Sequence, residues 1–160
     1  MIGAVFAVDD RGGIGRDGTI PWPYNKEDMR WFKHATTNSV VIMGKRSWNS
    51  PDMIKPLPER INVVVTNEFL DRQDIVQFKG DVCEGIAQIQ ERFPNKNIFV
   101  IGGADILMQA KPMLECAYIT RIPGDYMCDT SIDLTLFLSE FKLSNSQELG
   151  TCTLELYERI

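Results

Sequence analysis

The chain has a single histidine, His34, and four cysteines, Cys83, Cys116, Cys128 and Cys152, with no Cys-x-x-Cys pair among them. A zinc site needs several such ligands at close spacing, so this set argues against one. A disulfide framework is also not called for, because 160 residues can bury a core of their own. Reduced thiols in a cytosolic protein fit better. No apolar run approaches the length that crosses a bilayer. The opening MIGAVFAV is apolar but lacks a basic leader and runs straight into Asp9 and Asp10, so it reads as a buried first strand rather than a signal peptide. Basic residues number 17 against 22 acidic ones and form no dense run, which speaks against a nucleic-acid or anionic-membrane surface and leaves room only for a local basic pocket. Repeats, low-complexity tracts and linkers are also missing.

What is present is the balance of an ordinary globular domain, 44% hydrophobic and 24% charged, which favours one domain over residues 1–160. IGAVFAV reads as a strand buried on both faces. SVVIMG, INVVVT, DIVQF, NIFVI and CAYITRI read as further strands, and VCEGIAQIQERF and ADILMQAKPM as helices. TLELYERI closes the chain as a strand, expected to pair antiparallel with the segment around Phe141, Lys142 and Leu143. Strands alternate with helices as far as Met113, and then strands follow strands. That order implies an α/β fold: a single-domain three-layer sandwich around a mixed, mainly parallel sheet of about eight strands with an antiparallel C-terminal edge.

Residues 9–24 hold Gly12, Gly13, Gly15 and Gly18 together with Pro21 and Pro23, and read as a loop of about 15 residues, a length that tends to be functional. Within it, Gly13 to Gly18 matches the G-x-G-x-x-G dinucleotide fingerprint. The fingerprint works through the helix that opens there, and Thr19-Ile20-Pro21-Trp22-Pro23 opposes a helix. The segment reads instead as a glycine-rich mobile loop or, more sharply, as a lid whose Ile20 and Trp22 close over a ligand.

A helix is expected from Lys26 to Thr36 with Asn25 as N-cap. Asp28, Phe32 and Ala35 then fall on one stripe, flanked by Met29 and Trp31, while Glu27 lies nearer Arg30 and His34. A carboxylate on an apolar stripe has two explanations. At the third helical position it can bond back to the cap N–H and complement the helix dipole. Alternatively, it grips a ligand that carries adjacent N–H donors. Burial would raise its pKa and the helix N-terminus would lower it.

Two anion sites are suggested after strand ends, where open α/β sheets bind ligands. Lys45 and Arg46 follow Gly44 at a helix start. They are either a solvated basic surface or a phosphate site, and such a pair selects the 2′-phosphate of NADP over the hydroxyl of NAD. Thr66 and Asn67, at the end of a strand, could line the same pocket. Gly102-Gly103 before the next helix is either a tight turn or a close backbone approach to a ligand.

Seven pieces in order, GGIGRDGTIPWP, EDMRWFK, VVIMGKRSW, PLPERINVVVT, IFVIGGADI, YITRI and LELYERI, make the sequence resemble dihydrofolate reductase over nearly its whole length. The resemblance implies hydride transfer from NADPH to pterin C6 of dihydrofolate with protonation at N5, in a cytosolic monomer that also binds antifolates. It makes Asp28 the acidic residue that bonds the pterin and supports N5 protonation through water, with Thr120 supporting that carboxylate and the pterin amino group. Ile20 and Trp22 belong to the loop over the nicotinamide. Val5, Phe6, Met29, Phe32, Leu57 and Ile101 wall the folate slot, and Arg60 clamps the glutamate α-carboxylate. Ala7, Ile14 and Gly15 stand on the nicotinamide side. Gly44, Lys45, Arg46, Ser47, Thr66, Asn67 and Lys79 stand on the adenosine and phosphate side. Gly102, Gly103, Ala104, Asp105, Ile106 and Leu107 form the pyrophosphate turn, which in the family contains a cis Gly-Gly peptide.

The chain departs from the family in several places. Leu107 stands where many bacterial members have a tyrosine, Ala104 replaces a third glycine, and Ile20 replaces a common loop methionine. The first helix is entered by one extra residue, which makes Glu27 a weaker rival for the acidic role. SPDMIKP is longer than usual, so the substrate contact assigned to Lys55, and any Ile or Met wall beside it, is not fixed by spacing. These departures bear on rates and inhibitor affinity rather than on reaction class. The related-fold reductase of the riboflavin pathway is the nearest rival, but Asp28 and a tail-clamping Arg60 do not suit its substrate. A catalytically silent nucleotide binder is the remaining alternative.

Overall fold

The first strand, β1 (Ile2–Val8), is buried at every residue except Ala7 and lies inside an eight-stranded sheet. A computed structural model describes all 160 residues. After β1 come β2 (Gly13–Gly15), α1 (Lys26–Thr36), β3 (Val40–Gly44), α2 (Lys45–Trp48), β4 (Ile61–Val65), β5 (Val76–Phe78), α3 (Val82–Arg92) and β6 (Ile98–Gly102). The rest is α4 (Ala104–Ala110), a 3-10 turn (Lys111–Met113), β7 (Cys116–Arg121), β8 (Thr130–Ser131), α5 (Leu134–Phe137), β9 (Phe141–Leu149) and β10 (Cys152–Arg159).

The strand order is β5-β4-β3-β6-β1-β7-β10-β9. Every pairing from β5 across to β7 is parallel, and β10 runs antiparallel to both β7 and β9. This is the mixed sheet with an antiparallel C-terminal edge that the order of sequence elements implies. The chain leaves β1 toward β3 and leaves β6 toward β7, so the connections diverge between neighbouring strands. Such a switch point opens a crevice at the carboxyl ends of the strands.

The two faces of the sheet are filled unequally. One carries a cluster of 20 buried apolar residues that draws on α3, α4 and Phe137 of α5; the other holds a buried cluster of only 4, around Val41, Met43, Trp48 and Val64. On that second face Trp31 of α1 tilts against Tyr118 of β7, with ring centroids 5.4 Å apart. The expected stripe of Asp28, Phe32 and Ala35 is therefore not a core stripe. Thr36 is the only fully buried residue of α1, because the apolar side of this helix lines a cleft.

Two details correct the sequence expectation. The 9–24 segment is not a plain loop, since β2 pairs with β8, and Arg16 bridges to Thr19. The partner strand lies more than a hundred residues away in sequence, beyond the reach of local patterns. The short helix α5, capped by the Asp133 side chain, was likewise not anticipated. No helix is long and apolar enough to cross a membrane.

Candidate active site

Asn25 caps α1: its Oδ1 accepts a hydrogen bond from Asp28 N at 3.0 Å. The Asp28 carboxylate is thereby free of capping duty, and its Oδ1 accepts from the Thr120 hydroxyl at 2.7 Å. Thr120 sits on β7 directly beside Ala7 of β1 and is buried. Burial pushes the Asp28 pKa up, and the Thr120 hydrogen bond opposes this without cancelling it. Of the two opposing influences on this carboxyl, desolvation therefore wins.

Around Asp28 opens a cleft of about 650 Å³, a size suited to a small-molecule ligand. Its apolar half is walled by Val5, Phe6 and Ala7 from β1, Met29 and Phe32 from α1, and Leu57 and Ile101. The Phe6 ring also packs edge-on against Phe137, with centroids 5.4 Å apart. Trp31, Met53 and Ile54 line the cleft too. Trp31 was legible as a flank of the helical stripe, whereas Met53 and Ile54 lie in the long 50–56 segment whose register spacing did not fix.

Arg60 stands beside this wall rather than in it. Its guanidinium lies 5.8 Å from the Phe32 ring centroid, with Nε donating to Pro58 O at 2.9 Å and an NH1 proton to Thr36 Oγ1 at 3.1 Å. Burial holds its pKa below the usual arginine value, partly offset by Glu59. The remaining guanidinium protons are available to an anion. Lys55 does not line the cleft; its ammonium lies 6.0 Å from the Trp48 ring centroid.

The opposite half of the cleft is built from two helix starts. Gly44 precedes α2 and Gly103 precedes α4, and neither N-cap supplies a side-chain acceptor to the free amides. The two starts approach closely: a Cβ on Gly44 would lie 2.9 Å from Ile106 Cγ1, and one on Gly102 would lie 3.3 Å from Ser47 Oγ. Gly102 also has φ +141°, which a side chain would strain. The Gly102–Gly103 peptide is cis. Lys45, Arg46, Ser47, Ala104, Asp105, Ile106 and the fully buried Leu107 complete this end. Thr66, Asn67 and Lys79 lie beyond the lining, after β4 and β5. Uncapped amides, two cations and a hydroxyl form a donor set suited to a diphosphate.

Over the cleft runs the segment from Ile14 to Trp22, which includes Gly15. Ile20 N donates to Asp52 Oδ2 at 3.1 Å, tying this segment to the 50–56 segment. Trp22 packs edge-on to Tyr126 with ring centroids 5.9 Å apart. Behind it, Asp9 anchors the base of the segment. Asp9 Oδ1 accepts from Arg11 N and Gly13 N at 2.9 and 2.8 Å, and Oδ2 from Tyr126 N at 3.0 Å and the Cys128 thiol at 3.5 Å. Glu27 is absent from the cleft and lies with Arg30 and His34 on the outer side of α1.

The family model for dihydrofolate reductase matches residues 1–155. A dihydrofolate reductase of Sus scrofa is 27% identical over 95% of this chain and 86% of its own length. Dihydrofolate reductase type 9 of Escherichia coli is 35% identical over 84% of this chain and 77% of its own. Among solved structures, a dihydrofolate reductase from Enterococcus faecalis complexed with NADP(H) and RAB-propyl superposes with a TM-score of 0.81. That alignment spans 99% of this chain and 96% of the other at 22% identity, a likeness of fold.

Proposed function

Because the chain belongs to the dihydrofolate reductase family, we propose that it reduces 7,8-dihydrofolate to 5,6,7,8-tetrahydrofolate, with hydride delivered to pterin C6 and a proton to N5. The observation that carries this reading is Asp28, a half-buried carboxyl held by Thr120 inside an apolar slot. NADPH, when bound, supplies the hydride. The uncapped helix starts at Gly44 and Gly103, with Lys45, Arg46 and Ser47, suit its phosphates. Ala7, Ile14 and Gly15 stand where its nicotinamide would lie.

Asp28 does two things in this reading. Its carboxyl orients the pterin through the N–H donors of the ring, and its Oδ2, which takes no donor from the protein, is the atom available to them. Its raised pKa keeps a proton in the slot to higher pH than an ordinary aspartate would. That proton supports N5 protonation through water. Activity should therefore fall as pH rises through the elevated pKa. Thr120 fixes the rotamer of Asp28. Met29, Phe32 and Leu57 exclude water from the ring, and Ile20 and Trp22 cover it. Arg60, with guanidinium protons to spare beside Phe32, suits the α-carboxylate of the glutamate tail. The same slot is the site proposed for antifolate-type molecules. The chain is read as acting alone in the cytosol, where its four free thiols stay reduced.

The test is NADPH oxidation by purified protein, with and without dihydrofolate and with NADH as a control. Oxidation that depends on dihydrofolate is expected. Folded protein that oxidises NADPH only with a ribosylamino-pyrimidine, or not at all, would overturn the reading.

A further inference from the structure

We propose that Glu68 sets how strongly this protein prefers NADPH over NADH. Its carboxylate holds the Lys45 ammonium, competing with a 2′-phosphate and offering an acceptor to a free 2′-hydroxyl. The inference rests on the cofactor reading above.

The sequence presents Lys45 and Arg46 as one basic pair, and the structure divides them. Lys45 Nζ forms a salt bridge with Glu68 Oε1. Arg46 is exposed and forms no salt bridge, and its charge adds to the hydrogen bonds from Asp17 N and the Thr130 hydroxyl that hold the Asp129 carboxyl low. Strand order then says which cation meets which part of a dinucleotide. The apolar slot lies at the end of β1, the Gly102–Gly103 turn at the end of β6, Lys45 after β3, and Glu68 after β4, and these are successive neighbours in the sheet. A dinucleotide laid across these strand ends, with its nicotinamide at β1 and its diphosphate at β6 and β3, brings its adenosine ribose to Lys45 and Glu68.

Glu68 is held in place there. Its N–H donates to Thr66 Oγ1 at 3.1 Å, and its carbonyl accepts from Gln77 Nε2 at 2.8 Å. Gln77 Oε1 in turn accepts from Leu70 N at 2.9 Å. The turn after β4 is thus bonded to β5, and the carboxylate stays within reach of Lys45. A 2′-phosphate arriving at Lys45 must displace this carboxylate and then sit beside it, two like charges at one site. A 2′-hydroxyl meets no such conflict, and an acidic acceptor is the usual partner of that hydroxyl in NAD sites.

The test is Glu68→Gln, which removes the charge and keeps the shape at an exposed position. Calorimetric titration with adenosine 2′,5′-bisphosphate and with 5′-AMP reads the 2′-phosphate contribution without turnover. The ratio of the two affinities should rise about tenfold in the variant, the scale of one charge-assisted contact. The ratio of kcat/KM for NADPH over NADH should rise with it. If wild type prefers the bisphosphate and the variant shows an equal or smaller preference, the role of Glu68 is overturned while the cofactor reading stands. If wild type binds neither nucleotide, both fall together.

Discussion

Asp9 and Asp28 are carboxylates drawn out of water beside the same sheet, one at the end of β1 and one on the helix that follows, and they end in opposite states. Asp9 is sealed from water, 2% exposed, but close to the surface, whereas Asp28 is reached by water yet has more protein around it. Burial pushes the Asp9 pKa up, but the N–H groups of Tyr126, Gly13 and Arg11 and the Cys128 thiol outweigh that and hold it below the ordinary value. Asp28 is half-buried and has one hydroxyl donor from the protein, so burial prevails and its pKa is raised. The difference teaches that low exposure alone does not set a carboxyl's state; the donors its own chain supplies count as well. A carboxylate whose lone pairs are filled by its own chain is a structural staple. One that is dried and left short of donors has lone pairs to offer a ligand.

The same substitution at the two positions should separate them. Asp9→Asn places an amide donor opposite donors already in place and should cost about 2–4 kcal/mol of stability at neutral pH, read by urea unfolding. The sign with pH follows from a lowered pKa. The wild-type advantage is full above the unfolded carboxylate pKa of about 4 and is lost as pH falls through the lower folded value. An advantage that persists unchanged in strong acid would mean that Asp9 is not the staple. Thr120→Val removes the only protein donor to Asp28, so the fall of kcat/KM with rising pH should move to higher pH and the rate should drop about tenfold. A pH profile that stays in place would show that this hydroxyl does not tune the carboxyl. Asp52→Ala, the smallest change, frees Ile20 N–H at an exposed site, and stopped-flow release of NADPH should quicken about threefold. Unchanged release would show that this bond does not hold the lid.

The contrast also marks what could be read from the sequence. The mainly parallel sheet with its antiparallel C-terminal edge follows from the succession of apolar strands and helices, although the strand order does not, and α1 with its Asn25 cap was legible because cap and stripe lie within one short window. Asp28 could be singled out by its position on that stripe, but its state could not. Burial in a cleft built from distant segments outweighed the opposing hydrogen bond from Thr120, itself 92 residues away, and neither lies within a local window. Asp9 gave no signal as a staple, because two of its donors, Tyr126 and Cys128, lie 117 and 119 residues along the chain. The same distance hid the pairing of β2 with β8, which turns an apparent loop into a tethered segment. Lys45 and Arg46 read as a pair because adjacency in sequence does not reveal that Glu68 claims one of them.

The most direct measurement takes turnover and thermal midpoint together on Asp28→Asn at neutral pH. The variant keeps an acceptor for Thr120 and sheds a charge held in a dry slot. Dihydrofolate-dependent NADPH oxidation should therefore fall by about a hundredfold or more, while the midpoint should rise by about 2 °C. Because the folded pKa of Asp28 is raised, the stability gain should be present above that pKa and fade as pH falls below it. Near-normal turnover, or a large loss of stability at neutral pH, would contradict the account, because Asp28 would then be one more structural carboxylate like Asp9.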